Sequence, residues 1–171
     1  MIEIRLATEK DLEEMCRITQ EAKDQLKGLG LSQWQKGYPN KEVWEQDIQK
    51  QRAWVAEENG RLLGQFTFQT TPDPSYGEIQ GAWFTDGEYA AMHRVCVSAD
   101  SRGRGVAGKL FAFGFEKARE LGFSSMRIDT HPGNLPMQNA LGKAGFCRCG
   151  EIRLAEGPEK GDPRIAFEKI L

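Results

Sequence analysis

Hydrophobic and polar positions repeat at two periods along this chain, and the switches between them mark out its elements. Ile2 to Leu6 alternates as a short strand. Thr8, with Asp11 three residues later, is a helix-start signal, because each can bond the other's backbone N–H. Leu12, Met15, Cys16, Thr19, Ala22 and Leu26 then fall on one helical face. A glycine-punctuated loop from Gly28 to Pro39 carries Trp34 and Tyr38. Asn40 is placed to cap a second helix over Val43, Trp44 and Ile48. Trp54 to Glu57 and Arg61 to Gln69 read as strands joined by Asn59-Gly60, a strong two-residue hairpin turn. On the second strand Leu62, Gly64, Phe66 and Phe68 are expected to share a face.

Thr70 to Glu88 is rich in turn formers, and a long connection of this kind in a compact domain is often functional. Tyr89 to Ser98 is the next strand. Val106, Ala107, Leu110, Phe111, Gly114, Phe115, Ala118 and Leu121 then form an apolar helical stripe that Gly122 ends. Ser124 to Thr130 is a strand with Met126, Ile128 and Thr130 on one face and Arg127, Asp129 and His131 on the other. Asn134 can cap a helix over Met137, Ala140, Leu141 and Ala144, stopped by Gly145. Phe146 to Leu154 and Arg164 to Leu171 close the chain as strands. The predicted order is β-α-α-β-β-β-α-β-α-β-β. The crossover at 89–130 requires a parallel pair and the hairpins require antiparallel ones, so the fold class is α/β with a mixed (α+β) sheet and helices on both faces.

Composition narrows the function classes. A length of 171 residues suits one domain spanning 1–171, and 39% hydrophobic residues can build a core. A formal net charge of −2 argues against nucleic acid or an anionic membrane as partner. No apolar run reaches membrane-spanning length and the start has no signal-peptide design, so the expected address is cytoplasmic. Cys16, Cys96, Cys147 and Cys149 lack the spacing of a zinc site, and no metal is expected.

The chemistry concentrates at Val95 to Phe111, where a β-branched strand runs through a glycine turn into a helix. Glycines let the backbone approach an anion, and the unpaired N–H groups of the first helical turn point at it. Arg102, Arg104 and Lys109 add positive charge, so a phosphate group is the first ligand suggested. Three spellings fit. Gly103-Arg104-Gly105-Val106-Ala107-Gly108 matches the dinucleotide fingerprint, but too few βα units follow. Gly103 to Lys109 nearly spells a P-loop, but Leu110 stands where a magnesium-binding Ser or Thr is needed.

The third spelling, Arg102-x-x-Gly105-x-Ala107 after a strand and opening a helix, resembles the acyl-CoA-binding motif of the GNAT superfamily of N-acetyltransferases. Asn134 to Phe146, an Asn-led helix ending in Gly-Phe, is similar to that family's second motif, and the element order matches across nearly the whole chain. The resemblance implies a GNAT-like fold with a splayed parallel strand pair and a pantetheine arm bonded to the strand like an added strand. By position, Val95, Cys96 and Val97 would bond the arm, residues Gly103, Arg104, Gly105, Val106, Ala107, Gly108 and Lys109 would hold the pyrophosphate together with Arg102, and Asn134 would sit close to the arm. The cofactor implied is acetyl-CoA. The implied reaction is acetyl transfer to a primary amine by direct attack in a ternary complex.

Asp129 is the first candidate for the base that removes the ammonium proton, at a position where some members carry Glu; pairing with Arg127 or His131, or positioning substrate, are the competing roles. His93 and His131 are second candidates. Many members place a Tyr acid where this chain has Leu141, so a non-catalytic acyl-CoA-binding module is the runner-up and a nicotinamide-dinucleotide enzyme comes third. A small-molecule amine or a peptide N-terminus is expected as acceptor, and a homodimer is admitted.

Overall fold

The computed structural model describes residues 1–171. The elements are β1 (Glu3–Leu6), α1 (Leu12–Gly28), α2 (Lys41–Gln49), β2 (Ala53–Glu58), β3 (Arg61–Gln69), β4 (Gln80–Gly81), β5 (Ala90–Val97), α3 (Val106–Glu120), β6 (Ser125–Thr130), α4 (Leu135–Ala144), β7 (Cys147–Arg153) and β8 (Pro163–Ile170). Apart from the two-residue β4 inside the long connection, the order is the one the sequence predicts. Three of the signals read from sequence act as expected. Asn40 Oδ1 accepts the Val43 N–H at 3.0 Å and Asn134 Oδ1 accepts the Met137 N–H at 3.2 Å, each satisfying an orphan donor of a first helical turn. Gly145 ends α4 at φ +94°, a left-handed conformation that glycine adopts without strain.

The strands form one eight-stranded sheet in the order β1-β2-β3-β5-β6-β8-β7-β4, antiparallel except for β5 and β6. This is not the doubly wound parallel sheet that a dinucleotide fold requires. Helices α3 and α4 cover one face. Val106, Leu110, Phe111, Phe115, Ala118 and Leu141 pack there on Phe66, Met92, Met126 and Ile128. Helices α1 and α2 cover part of the other face, where Met15, Ile18 and Trp44 meet Ala53, Val55, Leu62 and Cys96.

One face assignment needs correction. Leu62 packs toward α1, whereas Leu63, Phe66 and Phe68 pack toward α3. The reason is a bulge: Glu57 pairs with Leu62 and Ala56 with Gly64, so Leu63 is an extra residue that reverses the alternation. A side chain at Gly64 would lie 2.9 Å from the Cys96 carbonyl oxygen, which is why a residue without Cβ stands there.

A second bulge shapes the centre of the sheet. Gln65 pairs with Cys96 and Thr67 with His93, so Arg94 and Val95 together oppose Phe66. Arg94 takes φ +53° to make the kink. Three residues before it β5 and β6 have already separated: only Ala90 with Met126 and Ala91 with Arg127 are paired.

Candidate active site

The separation of β5 from β6 opens a cavity of about 1070 Å³ between the strands, lined along β5 from Met92 to Val97 and along β6 from Ile128 to Thr130. Beyond Ala91 the β5 backbone has no strand partner on its β6 side, so its polar groups are free to pair with an extended ligand. The glycine turn forms one end of the cavity, and the loops around Tyr38, Asp73 and Glu159 form the other.

At the turn, Gly103 and Gly105 have φ +78° and +77° and flank Arg104. Successive N–H groups in such a turn form an anion-binding concavity, and the N-terminal amides of α3 add the positive end of the helix dipole. A Cβ built on Gly103, Gly105 or Gly108 meets nothing within 4 Å, so these glycines border open space rather than packed protein. Gly103, Gly105, Val106, Ala107 and Gly108 all line the cavity. That space suits a pyrophosphate. The three cations of the turn do not act together. Arg102 lines the cavity, with one guanidinium nitrogen bonded to the Glu21 carbonyl oxygen at 3.1 Å. Arg104 is instead paired with Glu58 at 2.8 Å, and the Arg104 and Lys109 side chains lie outside the cavity wall.

At the other end, Asp129 and His93 both line the cavity, and Asp73 joins them. Tyr76 Oη donates to Asp129 Oδ2 at 2.7 Å, leaving Oδ1 without a protein partner. Burial pushes the Asp129 carboxyl up to about 6, against the Tyr76 hydrogen bond, which lowers it; the charge of Asp73 adds to the rise. Burial also pushes the Tyr76 hydroxyl well above its ordinary value, so Tyr76 remains a proton donor to Asp129. His93 Nε2 stands 3.3 Å from Asp73 Oδ2 without hydrogen-bond alignment and has no other partner. Burial holds the imidazole down to about 4, although Asp73 pulls the other way, so it is neutral near pH 7. Neither competing partner of Asp129 engages it: Arg127 is bonded to Glu168 at 2.9 Å, and His131 accepts the Gly133 N–H on Nδ1 at 2.9 Å.

His131 does not line the cavity; its ring braces the turn before α4. Cys96 contributes backbone to the groove, while its thiol lies in the α1–α2 core, where burial pushes it up to about 12. Asn134 lines the cavity and caps α4 with the same side chain. Leu141 is wholly buried in the α3–α4 core rather than facing the groove.

Several functional-looking residues had no signal in the sequence pattern. Buried Asp47 bonds Arg52 Nε at 2.6 Å, Arg94 at 2.7 Å and the Thr67 hydroxyl at 2.7 Å. Arg94 also donates to the Tyr38 hydroxyl at 2.7 Å. Glu159 accepts from Arg164 at 3.0 Å and from the Trp34 N–H at 2.8 Å, tying the loop before α2 to the turn before β8. These contacts span 5 to 125 residues, and only the finished fold brings them together.

The family model for the acetyltransferase (GNAT) family matches residues 13–146. A GNAT-family acetyltransferase from Streptococcus agalactiae is 33% identical, with a TM-score of 0.87, over 99% of this chain and 95% of its own. Another from Listeria monocytogenes is 19% identical with a TM-score of 0.74, covering 99% and 95%. A ribosomal-protein-alanine N-acetyltransferase from Brucella melitensis is 21% identical with a TM-score of 0.68, covering 99% of both. No curated protein matches the sequence significantly. No helix is long and apolar enough to cross a membrane. The match over most of the chain, together with a splayed β5–β6 pair leading into a glycine cradle, establishes that this protein belongs to the GNAT family of acetyltransferases.

Proposed function

We propose that residues 1–171 act as one N-acetyltransferase domain that moves the acetyl group of acetyl-CoA to a primary amine by direct attack in a ternary complex. The observation that carries this reading is a single cavity with an anion cradle at one end and a raised-pKa carboxyl at the other. Acetyl-CoA supplies an activated acyl thioester. The amides of Gly103, Gly105, Val106, Ala107 and Gly108 would hold its pyrophosphate with Arg102, the free β5 edge at Val95, Cys96 and Val97 its arm, and Asn134 would lie beside it.

Asp129 is the base in this scheme. A carboxyl near pH 6 is ionised at neutral pH yet basic enough to take an ammonium proton directly or through one water. Tyr76 fixes its orientation through Oδ2 and leaves Oδ1 toward the cavity. His93, neutral and facing the same space, orients the amine rather than carrying charge. A backbone N–H near Val95 or Cys96 serves the developing oxyanion. Leu141 supplies no acid, and an alkyl thiol with a pKa of about 8.5 can depart without one.

The acceptor is a small amine. The Glu159 bond to the Trp34 N–H joins two loops that line the acceptor end and so fixes its walls. Calorimetry with acetyl-CoA, and CoA release across an amine panel, test the scheme. Gly108→Val adds bulk to the cradle where the protein itself makes no contact. It is expected to weaken acetyl-CoA binding about tenfold or more with folding retained. Tight binding without release on any amine would instead make the protein a binding module.

A further inference from the structure

Asp47 is fully buried and carries one negative charge against two guanidinium groups, Arg52 and Arg94. Arg94 is saturated. Its Nε and one terminal nitrogen bond Asp47, and the other terminal nitrogen bonds the Tyr38 hydroxyl. Arg52 is not. Only its Nε is used, on Asp47 at 2.6 Å, and neither terminal nitrogen has a protein partner. Its side chain is 27% exposed and lines the same cavity as His93, Asp73 and Asp129. Asp73 does not neutralise it: the Asp73 carboxylate caps Ser75 N–H at 2.7 Å and lies against His93.

The acceptor end therefore has two walls of opposite character. One presents carboxylates, at Asp129 and Asp73, suited to an ammonium. The other presents the open fork of a guanidinium backed by a surplus positive charge, and that fork matches a carboxylate in two-point contact.

We infer that the acceptor is an amino-carboxylate, whose amine faces Asp129 while its own carboxylate is held by the terminal nitrogens of Arg52. The inference rests on the acetyl-transfer reading above and narrows its substrate class. Simple alkylamines leave the Arg52 fork without its partner and forfeit a two-point, charge-assisted contact. Tyr38 and Arg94 form a fixed backing, because each nitrogen of Arg94 already donates to Asp47 or to the Tyr38 oxygen.

The test uses the full chain, saturating acetyl-CoA and matched pairs of acceptors, each a free amino acid and its methyl ester. Esterification removes the acceptor's negative charge and keeps its amine but makes that amine less basic, so each pair is compared per unprotonated amine. At least one amino acid is expected to exceed its ester by about tenfold or more in kcat/KM, with the difference mainly in KM. Arg52→Gln is expected to bring that ratio close to one, and Arg52→Lys to restore part of it. Because Arg94 remains on Asp47, the variant keeps a partner for the buried carboxylate. The wild-type comparison stands without any variant. CoA release that is equal or faster with the esters throughout would overturn this inference while leaving acetyl transfer intact. Failure to release CoA with every acceptor, despite bound acetyl-CoA, would overturn both.

Discussion

Tyr76 and Asp129, 53 residues apart in sequence, are joined by a 2.7 Å hydrogen bond in which the phenol donates to the carboxylate Oδ2. The bond stabilises the ionised carboxylate against a setting that favours the neutral form. Tyr76 is thus a positioning residue that adjusts the proposed base without facing the substrate.

Removing that donor should move a pH profile. With Asp129 near 6, kcat/KM is expected to rise through about pH 6 as the carboxyl ionises. Tyr76→Phe keeps the ring and deletes the hydrogen bond, so the Asp129 carboxyl rises further. We expect the acidic limb to shift up by about half a unit to one unit, with activity at pH 8.5 much less affected. A profile that does not move would separate Tyr76 from the base.

Asp129 also leaves a mark on stability. Its folded pKa lies above the ordinary carboxylate value of 3.8, so the folded state binds the proton more tightly. The carboxyl is therefore harmless at low pH and costs stability as pH rises from about 4 through about 6. Asp129→Asn is expected to raise Tm more at pH 8 than at pH 4, while lowering kcat by about a hundredfold or more. Thermal melts at the two pH values, beside steady-state rates, check both signs.

The two arginines of the glycine turn should behave differently. Arg102 faces the cavity, whereas Arg104 is committed to Glu58 outside it. Arg102→Gln is expected to weaken acetyl-CoA binding several-fold, by up to about tenfold, and more at low salt than at high salt. Arg104→Gln is expected to change it less than about twofold. Calorimetric titrations at two ionic strengths distinguish them.

The long connection before β5 is held by Glu168. This fully buried carboxylate bonds Arg127, Ser125, the Thr85 hydroxyl and the Phe84 N–H, and the Arg127 guanidinium stacks 4.2 Å from both the Trp83 and Tyr89 rings. Burial alone would raise the Glu168 carboxyl, but the donors around it hold it below the ordinary value of 4.5. Its contribution is present above about pH 4.5 and lost as pH falls through the lower folded value. Glu168→Ala strands a buried guanidinium and is expected to cost about 3–5 kcal/mol, read in urea melts near pH 7.

Most of the fold was legible because its signals are local. Asn40, Asn134, Gly105 and Gly145 act at the helix ends they mark, since capping involves residues a few positions apart. The groove was legible for the same reason: strand, turn and helix are consecutive. What sequence could not place depends on long-range packing. Leu62 was assigned to the wrong face because a bulge leaves no mark in a period-two pattern. Arg104 and Lys109 looked equivalent to Arg102, yet side-chain direction is set by distant partners such as Glu58. Tyr76, Asp73 and Arg52 reach the site only through the folded loops, so no spacing announces them.

The kink at Arg94 decides which way the second half of β5 faces. Before it, Met92 points toward α3 and His93 away; after it, Val95 points toward α3 and Cys96 away. A straight strand of the same length would invert everything downstream, driving the Cys96 position into the α3 layer and Val95 out of it, whereas loss of the one extra residue would leave both on their present sides. The left-handed turn at Arg94 is therefore what lets β5 carry one residue more than its partner and still present Val95 and Cys96 to opposite layers.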